Sequence, residues 1–350
     1  MDTGNTSDFT QPSGPGPVVP GLPQFTPPPA KKGTFWKVLW AIGTAFSVLA
    51  NVMMFFILIA VVFTFTSGTA HERQFVEKVI EDGPRMSRIA VVSVDGIIEE
   101  QTAQEVYRQI KAARADKTVK GLIIRVNSPG GTISGSDQIY NEILKYRVEK
   151  KKPAIAFMRG IAASGGYYSS VACDTIVAEP TTITGSIGVI LNYLVLQGLL
   201  EEKLGIQPVV VKAGEKKDWP SSFKPPTDEQ LLYLQERIIT PAYERFVKIV
   251  VDGRKMLTEE EIRQLADGSI YWADQAVEKK LIDKIGYLKD AIKEAKSQAG
   301  LEKAQVFEYQ KSFSFADVLS AESKTSLKID KKMLYELSVP QVLYLWTGQK

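Results

Sequence analysis

A serine lies where a short turn could present it as a nucleophile. Ser164 sits in Arg159-Gly160-Ile161-Ala162-Ala163-Ser164-Gly165-Gly166-Tyr167-Tyr168. Small neighbours leave its Oγ open at a strand-to-helix junction, and the first amides of the following helix favour negative charge beside it. The same position suits an ordinary helix N-cap. A nucleophilic serine needs a base. The chain has one histidine, His71, beside a long apolar run and distant in sequence from every other candidate, so a Ser-His-Asp arrangement is disfavoured. A lysine can serve if desolvation makes its neutral form accessible. Lys212, Lys216, Lys217 and Lys224 are candidates, and residue chemistry does not choose among them.

Two further turns supply supporting groups. Thr184-Gly185-Ser186-Ile187-Gly188 places a hydroxyl between glycines. That hydroxyl could orient a lysine amine, or Ser186 could be a plain turn serine. Asn127-Ser128-Pro129-Gly130-Gly131 exposes backbone N–H groups, which suits an oxyanion hole or simply a tight turn into a helix. Other chemistries lack their residues. One cysteine, Cys173, allows no intramolecular disulfide and no Cys-rich zinc site, and one histidine allows no His-based metal centre. No phosphate-binding G-x-x-x-x-G-K-[ST] occurs, nor G-x-G-x-x-G after a strand, so nucleotide binding has no support and no cofactor is expected. A net charge of +3 over 350 residues gives no reason to expect nucleic acid.

The elements that must position these groups alternate. Apolar, β-branched runs at 89–98, 121–126, 153–158, 175–178 and 209–212 read as strands. Helical periodicity covers 102–115, 134–149 and 164–172. Such alternation predicts an α/β domain whose sheet is largely parallel and built from βα units. Beyond Pro226 the pattern is helical at 227–251, 258–266, 271–279 and 288–298, with Thr227 and Thr258 as N-caps and a last strand at 305–309.

Two segments lie outside this pattern. Residues 1–34 hold eight of the 18 prolines among the first thirty positions and read as a disordered tail. From Val38 to Thr66 there is no ionisable residue, and a helix of about 29 residues exceeds the ~30 Å hydrocarbon core. A single transmembrane helix over 36–67 is expected, with 68–86 as linker, 87–312 as the folded domain and 313–350 as a C-terminal tail. Lys31, Lys32 and Lys37 precede the span, which places the N-terminus in the cytoplasm and the domain outside. In the tail, the apolar stripe Val339–Trp346 must bury somewhere: on its own domain, beside the catalytic groove, or on a neighbouring subunit.

Taken together, the motifs resemble a known family. The Asn-Ser-Pro-Gly-Gly, Ala-Ala-Ser-Gly-Gly-Tyr-Tyr and Thr-Gly-Ser-Ile-Gly turns are followed by Ala213-Gly214-x-x-Lys217-Asp218. Then come Arg254, Ala266-Asp267-Gly268 and Leu281-Ile282-Asp283-Lys284-Ile285-Gly286. Their order and spacing over Arg88–Leu301 resemble the signal peptide peptidase A family, membrane-anchored Ser-Lys peptidases of the ClpP/crotonase fold. The resemblance implies Ser164 as nucleophile, Lys217 as general base and Ser186 as the hydroxyl that positions the lysine. It implies the Gly131 and Gly165 N–H groups as oxyanion donors, with no metal or cofactor. It also implies cleaved signal peptides as substrates, a homo-oligomeric ring, typically octameric, and an inner-membrane location. A ClpP-class membrane protease of stomatin-like substrates, a crotonase-type acyl-CoA enzyme and a non-catalytic ring scaffold are the alternatives.

Overall fold

The computed structural model describes residues 33–67, 75–311 and 341–348. His71 and most of the Pro-rich tail lie outside them, as do residues 312–340. The chain divides into two units, the first ending at His71. In the first, Thr34–Ser67 forms one helix (α1). Its stretch Phe35–Ala60 has a mean hydropathy of 2.2 and is long and apolar enough to cross a bilayer.

The second unit is an α/β domain. Its strands are Phe75–Glu81 (β1), Arg88–Asp95 (β2), Val119–Ser128 (β3), Gly130–Thr132 (β4), Ala154–Ala163 (β5) and Thr175–Ala178 (β6). Ile183–Gly185 (β7), Ile190–Asn192 (β8), Ile270–Trp272 (β9), Lys284–Ile285 (β10), Gln305–Lys311 (β11) and Gln341–Leu345 (β12) follow. The main sheet runs β1-β11-β2-β3-β5-β6-β10, with β7 paired to β5 and β9 to β7. Neighbours from β11 to β10 are parallel, and β1 closes one edge antiparallel.

Strand periodicity divides the core in two. Ala90, Val92, Leu122 and Ile124 face one side, where Glu100–Ala115 (α2), Ile133–Lys150 (α3) and Gly165–Ser170 (α4) pack. Ile89, Val91, Ile123, Ile155 and Phe157 face the other, covered by Leu288–Gln298 (α9) through Ala291, Ile292 and Ala295. Both faces are therefore buried, which explains why these strands read as continuous apolar runs. Asp228–Leu234 (α5) begins at the Thr227 capping box and leads through a π-helical turn into Thr240–Gly253 (α6). Glu259–Leu265 (α7) begins at the Thr258 capping box, and Ala273–Glu278 (α8) follows β9.

Three expectations change. Residues 209–212 form no strand: Val209 and Val211 are 84% and 94% exposed, and β-branched character without a partner does not make a strand. Positions 271 and 272, the start of the expected helix 271–279, pair with β7 instead. The stretch 68–86 contains the edge strand β1, whose side chains are half-buried or exposed.

Arg254 and Asp283 form a structural clamp. The Arg254 side chain is buried, and its two terminal nitrogens each donate to an Asp283 oxygen at 2.9 Å. Its Nε donates to the Lys280 carbonyl at 2.8 Å, and the Ile176 N–H donates to Asp283 at 2.7 Å. The end of α6 is thus pinned to the β6–β10 edge.

Candidate active site

Ser164 follows β5 directly and is 1% exposed. Its backbone has φ 52° and ψ −114°, a conformation costly for any residue with a Cβ. Two hydrogen bonds hold it there: its N–H donates to Gly185 O, and the Tyr168 N–H donates to its carbonyl, each at 2.8 Å. Although Ser164 occupies the N-cap position, its side chain does not cap the helix. The Oγ therefore does not do the one job that would have explained a serine here structurally.

Pairing of β5 with β7 brings the second hydroxyl alongside. Ala163 stands opposite Gly185, so Ser164 and Ser186 leave their strands together. Ser186 also has a positive φ, 51°, and its N–H donates to Ser269 O at 2.7 Å. Both serines line a cavity of about 390 Å³. Tyr243 and Asp267 line it too, as do Leu345, Trp346 and Thr347 of the C-terminal segment. The Ser269 hydroxyl and N–H hold the Asp267 carboxyl below its usual range.

The glycine turn closes in from β3 and β4. Gly130 has φ 103°, and a Cβ there would run into Tyr344 O and lie 2.7 Å from the Gly165 nitrogen. A Cβ on Gly165 would strike Ser136 Oγ. Only glycine permits this approach of the two turns. Gly130 is thereby packed against Gly165 beside Ser164, with Gly131 next along β4 against Ile98.

The candidate bases are elsewhere. No lysine or histidine is among the described residues lining the cavity. Lys217 lies on the short 3-10 turn Glu215–Asp218 and is exposed. Lys212 pairs with Asp218, and Lys216 sits over the Trp219 and Tyr233 rings at 4.9 and 4.5 Å. The structure thus brings Ser164 and Ser186 to one cavity, sets Gly130 against Gly165, and leaves Lys217 outside that cavity within a single chain.

Of the destinations open to the apolar stripe 339–346, the structure places it on its own domain and beside the cavity. β12 runs antiparallel between β4 and β8 as the middle strand of a second sheet. The apolar stripe signals burial, and the choice among its destinations is made by pairing with β4 and β8, which no local pattern contains.

Comparison with known proteins gives the chain's relatives. The model of peptidase family S49 matches residues 146–302, and that of Clp protease matches residues 76–177. A signal peptide peptidase SppA from Enterococcus faecium is 40% identical over 248 residues, 68% of this chain and 71% of that relative. The chloroplastic serine protease SPPA of Arabidopsis thaliana is 32% identical across 68% of this chain and 36% of its own length. Protease 4 of Salmonella typhi is 33% identical across 63% of this chain and 36% of its own. With a ClpP-like sheet, a strained serine beside a glycine turn and this similarity over most of a relative's length, the chain belongs to peptidase family S49, a family of serine peptidases.

Proposed function

We propose that the chain is a membrane-anchored endopeptidase that degrades cleaved signal peptides and similar apolar segments with a Ser164–Lys217 dyad. Ser164 Oγ attacks the scissile carbonyl while the neutral Lys217 amine takes its proton. The Ser186 hydroxyl positions that amine. The Gly131 and Gly165 N–H groups stabilise the oxyanion, a contribution of about 3 kcal/mol per donor. Protonated Lys217 then gives its proton to the leaving amine, and water hydrolyses the acyl-enzyme. Helix α1 would hold the domain at the membrane, with the N-terminus cytoplasmic.

The observation that carries this reading is the pair of strained, adjoining serines beside a groove that holds an extended strand. Lys217 lies outside that cavity, so the dyad forms between two copies of the chain in a ring, for which an octamer is our expectation. Exposed Leu194, Leu199, Leu204, Ile206, Val209 and Val211 offer the apolar surface such contacts need.

Mixing variants tests this. Ser164→Ala and Lys217→Ala should each be inactive. Co-assembled in equal amounts, they should regain activity, because about a quarter of random neighbour pairs unite an intact serine with an intact lysine. No recovery would place the base within one chain or on another residue. Full activity in either single variant would remove that residue from the mechanism.

A further inference from the structure

We infer, resting on the reading of Lys217 as the base, that Lys216 is its positioning residue: the Lys216 ammonium, held over the Trp219 and Tyr233 rings, fixes the turn that presents Lys217.

The stretch from Lys212 to Lys224 carries four lysines, and two of them are tied down. Lys212 Nζ donates to the Glu215 carbonyl at 2.7 Å and pairs with the Asp218 carboxylate. It therefore spans the 3-10 turn Glu215–Asp218 from its first residue to its last. Lys216 Nζ lies 4.9 Å from the centre of the Trp219 ring and 4.5 Å from that of Tyr233. Those two rings stand nearly perpendicular, at 81° with centroids 5.6 Å apart, and so offer one ammonium two faces. Each face carries negative charge density that attracts a cation. Lys217, the next residue, is exposed and forms no ion pair among the described residues.

The turn needs these ties. Its own backbone bonds, Lys217 N–H to Gly214 O and Trp219 N–H to Lys216 O, are both 3.2 Å, at the long end for such bonds. Gly214, which opens the turn at φ 96°, has no side chain to limit its backbone. Lys212 closes the turn only on its own stretch of chain. Lys216 and Trp219 tie it to α5 through Tyr233, and α5 is itself anchored by the Thr227 capping box and the buried Leu234. With the turn fixed on α5, Lys217 leaves it from a set point in a set direction.

A base on a flexible four-carbon stem gains from such an anchor. Misplacing a reacting group by about 1 Å can cost about a hundredfold in rate. The contact also needs a cation at position 216. A neutral side chain of the same length leaves the ring faces without their charge, whereas a guanidinium stacks on them as an ammonium does.

The test uses the full chain in detergent and a peptide reporter, with kcat and KM measured separately. Lys216→Met keeps the stem and removes the charge. Its kcat should fall about fivefold, the factor that corresponds to one exposed cation–aromatic contact, with KM and assembled mass unchanged. Tyr233→Leu should fall by a similar factor, and the double variant no further, because both changes remove the same contact. Lys216→Arg should restore most of the rate. Unchanged kcat in Lys216→Met, losses that add in the double variant, or no recovery with arginine would overturn the inference. A raised KM with kcat intact would make Lys216 a substrate contact, and a smaller assembled mass would make it a subunit contact; either overturns it. If Lys217→Ala is inactive, each of these failures leaves the proposed dyad standing. Activity that survives in Lys217→Ala, or vanishes entirely in Lys216→Met, would overturn both.

Discussion

Ser164 carries backbone strain that a structural serine has no reason to bear. Its φ of 52° and ψ of −114° cost about 1–3 kcal/mol for a residue with a Cβ. In this conformation the side chain makes no cap bond to the helix it precedes. Two substitutions separate strain from chemistry. Ser164→Gly and Ser164→Ala should both abolish peptide hydrolysis, but glycine accepts the conformation and alanine does not. The glycine variant should melt about 2–4 °C above the alanine variant. Equal melting temperatures would show that the turn is relaxed. Gly130 is the complementary case. A methyl group there would meet the carbonyl of the strand in the groove and the Gly165 N–H at 2.7 Å. Gly130→Ala should lower kcat/KM by at least about a hundredfold, as loss of an oxyanion donor does, measured on a peptide reporter.

Elements were legible where one local pattern decided them. The spans 175–178 and 288–298 were read as strand and helix with the bounds the structure gives, because burial on both strand faces and an i, i+3, i+4 stripe leave strong local signals. The strand β1 was not legible, since its exposed, charged positions look like linker and only pairing with β11 makes it a strand. The meeting of Ser164 with Ser186 depends on β5–β7 register, which no local window contains. The Arg254–Asp283 clamp was legible as a motif but not as a clamp. Arg254→Ala should cost about 3 kcal/mol in urea unfolding, because it leaves a carboxylate facing a partly buried edge without its partner. Asp116 shows the same logic at the C-cap of α2. Burial pushes its carboxyl up, yet hydrogen bonds from the Thr118 hydroxyl and N–H, with Arg88 nearby, outweigh this and hold it below the usual range. A carboxylate lowered on folding contributes stability that is complete above about pH 4 and fades as pH falls through the folded value. The melting-temperature gap between wild type and Asp116→Asn should therefore be widest near neutral pH and close in acid. A gap independent of pH would assign the effect to packing.

At the scale of the whole molecule, what a single chain leaves unfinished points to assembly. Its cavity has two hydroxyls and a strand in place, and Lys217 stands outside it, exposed on the Glu215–Asp218 turn. Val209 and Val211 are almost fully exposed on a stretch without regular structure, an arrangement that one copy has no means to stabilise. Surface substitutions on a free loop normally change stability by less than about 0.5 kcal/mol. The double variant Val209→Asp, Val211→Asp should thus unfold like the wild type. If these valines sit between copies, two charges there oppose association, because neither would find a partner once buried. Sedimentation in detergent should then show a smaller species, and peptide hydrolysis should fall with it, since the serine would no longer meet a lysine from its neighbour. A variant that keeps the wild-type mass and rate would locate the subunit contact elsewhere. One that loses its assembly but retains its rate would show that the base comes from the same chain.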